Sequence, residues 1–187
     1  MLSQLRKPLL LITIVIIVLW LIRRFVSNKK EAPSSPPLQQ LIELSFFVYI
    51  GWVICVTLYP IPLALYKTGS NGRVNLLPFV NSIRIFLVSV FSATRRINEH
   101  AGENFFGNIL LFMPLGFLAP QVTTIRSWAG VGLLAFLFSL FIETAQYTES
   151  HWDIYRTVDV DDIILNSLGA FFGYFLFRIW DALLHRP

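Results

Sequence analysis

The chain has 187 residues, of which 55% are apolar and only 14% charged, with a mean hydropathy of +0.63 and a net charge of +4. That balance excludes an ordinary soluble domain and describes one integral membrane domain, with room for about five helices of about 20 apolar residues each across a hydrocarbon layer of about 30 Å. The positive residues are scattered through loops without interleaved aromatics, which excludes a nucleic-acid groove and fits orientation signals and anionic headgroups, and a lone cysteine, Cys55, excludes an internal disulfide and a thiolate metal cluster.

The first apolar run covers residues 8–26, with Arg23, Arg24, Lys29 and Lys30 at and beyond its end and no small-residue cleavage site. It reads as an uncleaved membrane helix. Residues 27–40, with Pro33, Pro36 and Pro37, read as a linker without helix. A second span runs over residues 41–59, closed by Pro60 and Pro62, and hydrophobicity then breaks over residues 61–103. In that break Thr68-Gly-Ser-Asn-Gly72 is turn chemistry, and Asn75-Leu-Leu-Pro-Phe79 is an apolar knuckle. A helix over residues 83–96 would place Ile83, Phe86, Leu87, Val90 and Phe91 opposite Arg84, Ser92, Arg95 and Arg96, which suits the membrane interface. Further spans follow over residues 103–120, 128–147 and 161–180, leaving 181–187 as a tail. The expected fold is therefore all-α, an integral membrane bundle of about five transmembrane helices plus a short interfacial helix, with residues 41–180 as its main domain.

Positive residues set topology, and the two arrangements nearly balance. With the N-terminus outside, the cytoplasmic positives are Arg23, Arg24, Lys29, Lys30, Arg126, Arg178 and Arg186; with it inside, they are Arg6, Lys7, Lys67, Arg73, Arg84, Arg95, Arg96 and Arg156. The cluster at 23–30 lies tight against two spans, which favours the N-terminus outside and the C-terminus in the cytoplasm. Either way, the 61–103 loop and residues 148–160 share one side of the membrane.

The polar residues at that side keep helical spacing. Glu143 and Gln146 are i, i+3 near the end of the fourth span, and Asp159, Asp162, Asn166, Gly169 and Gly173 form one stripe down the fifth. Ionisable groups at membrane depth are costly and face protein or water, and the small residues permit close helix approach while Asn166 can bond across it. Each residue also has a plainer role. Asp159 or Asp161 caps the fifth helix, Arg156 and Glu143 pair to lock two helices, Asn166, Gly169 and Gly173 pack a seam, His151 and His185 are solvated, and Trp128, Trp152 and Trp180 anchor the interface.

Taken together, Asn75-Leu-Leu-Pro-Phe79, Glu103-Asn-Phe-Phe-Gly107-Asn108-Ile-Leu-Leu-Phe-Met-Pro114-Leu-Gly116-Phe, Glu143-x-x-Gln146 and Arg156-x-x-Asp159-x-x-Asp162-x-x-x-Asn166-x-x-Gly169 resemble the VanZ-like family over residues 41–177. The resemblance implies a small bacterial multi-pass protein of the cell membrane. Named members of that family give low-level resistance to the glycopeptide antibiotic teicoplanin.

Two mechanisms fit these residues. In the first, a binding factor, Arg156 with Arg84 or Arg95 offers forked donors to a phosphate or carboxylate, Glu143 and Asp162 orient them, and Asn108 and Asn166 read polar groups at the seam. The motifs add Asn75 and Gln146 and the stripe adds Asp159, which gives a ligand set of Asn75, Asn108, Glu143, Gln146, Arg156, Asp159, Asp162 and Asn166. Its partners are membrane lipids, a lipid-linked cell-wall precursor or a lipid-tailed glycopeptide, and no cofactor is called for. In the second, a membrane enzyme acts on a lipid-linked phosphate, with Mg²⁺ held by Asp159, Asp161 and Asp162 or with Glu143 as general base, so that Glu143 and Asp162 are the catalytic candidates. The binding reading leads because no nucleophile with an activating base and no phosphate-cradling glycine loop accompanies the carboxylates.

Overall fold

The computed structural model describes residues 2–28, 36–58, 74–75, 95–150 and 158–184. Five helices lie within them: α1 (Leu2–Asn28), α2 (Pro37–Leu58), α3 (Arg95–Val122), α4 (Trp128–Ser150) and α5 (Val160–Leu184). All five are long and apolar enough to cross a membrane, so the chain is an all-α membrane bundle. Residues Val74–Asn75 (β1) and Val158–Asp159 (β2) add one short parallel pairing, Val74 with Val158 and Asn75 with Asp159.

Two boundaries depart from the sequence reading. The linker is shorter at both ends, since α1 runs to Asn28 and α2 begins at Pro37. Pro37 occupies the first helical position, where its missing N–H is lost to no bond and its fixed φ suits the helix, while the Pro36 carbonyl accepts the Gln40 N–H (3.2 Å). The third helix starts at Arg95 rather than at residue 103. Its first turns are polar, so hydrophobicity marks only the apolar part, Phe105–Val122. Residues 83–94 of the expected interfacial helix lie outside the described residues, and Arg95 and Arg96 open α3 instead.

The helices alternate in direction. α1 and α2 run antiparallel, with an Arg23–Glu43 ion pair at one end (2.7 Å), the Trp52 indole donating to Thr13 Oγ1 (2.8 Å), and Gly51 set against Ile12 and Ile16. α2 and α3 are antiparallel too, since Gln39 Nε2 donates to the Gln121 carbonyl and Tyr49 Oη to that of Leu111, both at 2.7 Å. The core draws Val53 from α2, Phe112 and Leu115 from α3, Val131, Ala135 and Ile142 from α4, and Ala170, Tyr174 and Phe177 from α5. α5 is the most enclosed helix and α1 the least.

α3 and α5 make the closest and most extensive pair. A Cβ at Gly169 would collide with the Ile109 carbonyl, one at Gly173 with that of Met113, and one at Gly116 with that of Ala170. These glycines let two backbones touch inside the bilayer, where lipid and side chains are equally apolar and packing rather than water exclusion drives association. Because Ile109 meets Gly169 and Met113 meets Gly173, the two helices ascend in the same direction, and α4, which joins them in the chain, runs back alongside α5. The far end is pinned by Tyr174, whose hydroxyl donates to the Arg126 carbonyl in the α3–α4 turn and whose ring meets Trp128 edge-on.

Candidate functional site

The serpentine course gathers the end of α4, the start of α5 and the β1–β2 pairing at one end of the bundle. Asp159 is the residue before α5, and its Oδ1 accepts the Asp161 N–H (3.0 Å), an N-cap that satisfies one of the helix's open donors. Glu143 reaches across from α4 and its Oε2 accepts the Asp159 N–H (3.2 Å). That residue is only 4% exposed and Asp161 only 2%. A buried carboxylate thus closes the corner where α5 begins, at a place where an unpaired one would be expensive.

The stripe continues across and below this corner. Asn108 on α3 donates from Nδ2 to Asp162 Oδ1 (2.5 Å), tying the first turn of α5 to the neighbouring parallel helix. One turn deeper, Asn166 Nδ2 donates to Ser139 Oγ on α4 (2.8 Å), and both residues are buried. The Asp159 and Asp162 carboxylates lie within Coulombic reach of Glu143, and Asp159 and Asp161 within that of Asp162. Four carboxyl groups are therefore crowded into one small corner.

Of the residues singled out by sequence, Asn108, Glu143, Asp159, Asp161 and Asp162 come together here, with Asn166 directly beneath. Gln146 does not join them. Its Nε2 donates to the Thr57 carbonyl (3.1 Å), joining the ends of α4 and α2. Asn75 pairs through its backbone with Asp159. Arg84, His151, Trp152, Arg156 and His185 lie outside the described residues. Sequence reasoning missed Ser139, although it stands four residues before Glu143 and so shares its helix face. Among the described residues, no group of three or more His, Cys, Asp and Glu is arranged to hold a metal ion. Asp159 turns one oxygen to the α5 cap and Asp162 turns one to Asn108.

Fold and site together define a class: a multi-pass helical membrane protein whose glycine-packed core ends in a buried carboxylate corner. The chain belongs to the VanZ/LLP1 family, whose model matches residues 46–181, a stretch that starts within α2 and contains every described site residue. No curated protein and no solved structure matches it.

Proposed function

We propose that this protein is a bacterial cell-membrane factor that binds the polar head of a membrane-held ligand at the carboxylate corner: a lipid headgroup, a cell-wall precursor or a lipid-tailed glycopeptide. The observation that carries this reading is Glu143, a carboxylate 4% exposed within a membrane-spanning helix and bonded to the backbone that opens α5. Ionisable residues at such depth are retained for use more often than for packing. Asp162 and Asn108 extend the corner toward the bundle surface, Asp162 being only partly buried. Arg156, three residues before Asp159 in sequence, supplies the anion-binding counterpart.

The orientation that goes with this reading puts the corner on the outer face. Positive residues favour the cytoplasm, and although Arg6, Lys7, Arg95 and Arg96 at the corner's end nearly balance Arg23, Arg24, Arg126 and Arg178 at the other, the cluster at 23–30 lies tight against two spans and weighs more. Metal-assisted turnover is the weaker alternative, because its three aspartates are not arranged around a common ion.

Teicoplanin sensitivity measured beside vancomycin in a susceptible Gram-positive host tests the proposal, with wild type, Glu143→Gln, Asp162→Asn and Arg156→Ala at matched membrane levels. The wild type is expected to protect against teicoplanin alone, and the variants to lose that protection. Protection that survives in every variant would remove the corner from function, and a wild type that protects against neither drug would remove the glycopeptide from the ligand class.

A further inference from the structure

The donors and acceptors of the carboxylate corner do not balance. Asn108 commits Nδ2 to Asp162 and Asn166 commits Nδ2 to Ser139. The Oδ1 of Asn166, on a residue 4% exposed, has no hydrogen-bond partner. Leaving a buried acceptor unmet is costly, and membrane helices ordinarily avoid it.

Its placement tells what it faces. Side chains on a helix lean toward that helix's N-terminus. Asn166 therefore leans from α5 toward Asp162, one turn nearer the membrane surface. Glu143, on the antiparallel α4, stands one turn above Ser139 and turns its Oε2 to the Asp159 N–H. The bond between Asn166 and Ser139 fixes the amide in the α4–α5 seam, on the faces that carry Asp162 one turn above Asn166 and Glu143 one turn above Ser139. Glu143 and Asp162, when ionised, present only acceptors there. Among the described cations, Arg23, Arg24, Arg126 and Arg178 belong to the opposite end, while Arg6 and Lys7 open α1 and Arg95 and Arg96 open α3 on the corner's side, Arg95 standing about 20 Å before Asn108 at a rise of about 1.5 Å per residue.

We propose that the Asn166 carbonyl, Glu143 and Asp162 together receive an ammonium group, the headgroup amine of a membrane lipid, which supplies the missing N–H donor and offsets the crowded carboxylates. This assignment rests on the headgroup-binding reading and names its ligand chemistry. The depth fits a headgroup: Asn166 lies six residues into α5, about 9 Å below its start at a rise of about 1.5 Å per residue. Of the three groups, Asp162 is the one that is only partly buried.

The test uses the full chain purified in nonionic detergent and lipids of identical acyl chains: phosphatidylethanolamine, its N-methyl and N,N-dimethyl derivatives, phosphatidylcholine and phosphatidylglycerol. Removing N–H donors one at a time should lower binding stepwise, with roughly a tenfold loss from first to last, as expected for a charge-assisted hydrogen bond. Asn166→Leu, near in size and suited to an apolar bundle, should narrow the preference for phosphatidylethanolamine over phosphatidylcholine without abolishing it, since Glu143 and Asp162 remain. The methylation series needs no variant, so it decides the matter even where Asn166→Leu fails to fold. Equal binding across the series, with phosphatidylglycerol bound as well, would overturn the ammonium assignment and leave headgroup binding standing. Binding of none of these lipids would overturn both. Competition by free phosphoethanolamine at equal concentration would keep the amine chemistry and overturn its lipid source.

Discussion

At Asp159 a cap and a charge reside on one side chain, and two substitutions separate them. Asn accepts the Asp161 N–H as Asp does, whereas Ala cannot. Asp159→Ala should therefore lose about 1 kcal/mol of stability and Asp159→Asn only a few tenths, measured by reversible unfolding in mixed detergent micelles. If both variants lose ligand binding while only the alanine variant loses stability, the carboxylate serves the ligand and the cap serves the helix. Equal destabilisation by both would mean that the oxygen at 159 does not cap α5. The stripe itself was legible in the sequence because carboxylates and an asparagine at helical spacing stand out in an apolar chain. Ser139 was not, since a hydroxyl in a membrane helix commonly bonds its own backbone, as Thr57, Thr144 and Ser167 do here. Only the partner across the seam distinguishes Ser139 from them.

At the level of elements, the α3–α5 contact depends on glycines that are unequal in kind. Gly173 abuts the Met113 carbonyl, a backbone atom that cannot rotate aside, whereas a Cβ on Gly107 would meet nothing within 4 Å. Gly173→Ala should force the helices apart and cost about 1–3 kcal/mol, while Gly107→Ala should be neutral or gain up to about 1 kcal/mol from helix propensity. Thermal unfolding of the two purified variants checks both values, and a tolerated alanine at 173 would contradict the close approach. Because Asn108 and Asp162 bridge the same two helices, Gly173→Ala should also weaken ligand binding from a distance. The sequence marked Gly169 and Gly173 as a seam through their spacing, yet it could not say which helix they meet, because neighbours in space are not neighbours along the chain. Nor could it find the pairing of Val74–Asn75 with Val158–Asp159, since two-residue strands are too short to carry a period.

For the whole molecule, the alternation of five spans has one consequence that spacing alone established: whatever precedes α3 and whatever precedes α5 meet on the same side of the membrane. The β1–β2 pairing brings the two segments into register there. Which side it is depends on charge, and the described cations divide evenly, Arg23, Arg24, Arg126 and Arg178 at the end opposite Glu143 and Arg6, Lys7, Arg95 and Arg96 at its own, so labelling decides it. In a Cys55→Ser background, a cysteine replacing Thr148 at the end of α4 should react in intact cells with a membrane-impermeant maleimide. One replacing Thr124, in the α3–α4 turn, should react only after the cells are opened. The reverse pattern would turn the corner to the cytoplasm and exclude an external glycopeptide as its ligand, while leaving inner-leaflet lipids available to it. Labelling at Thr148 from outside would instead place the carboxylates where outer-leaflet headgroups and envelope precursors lie, a position that capture of either would require.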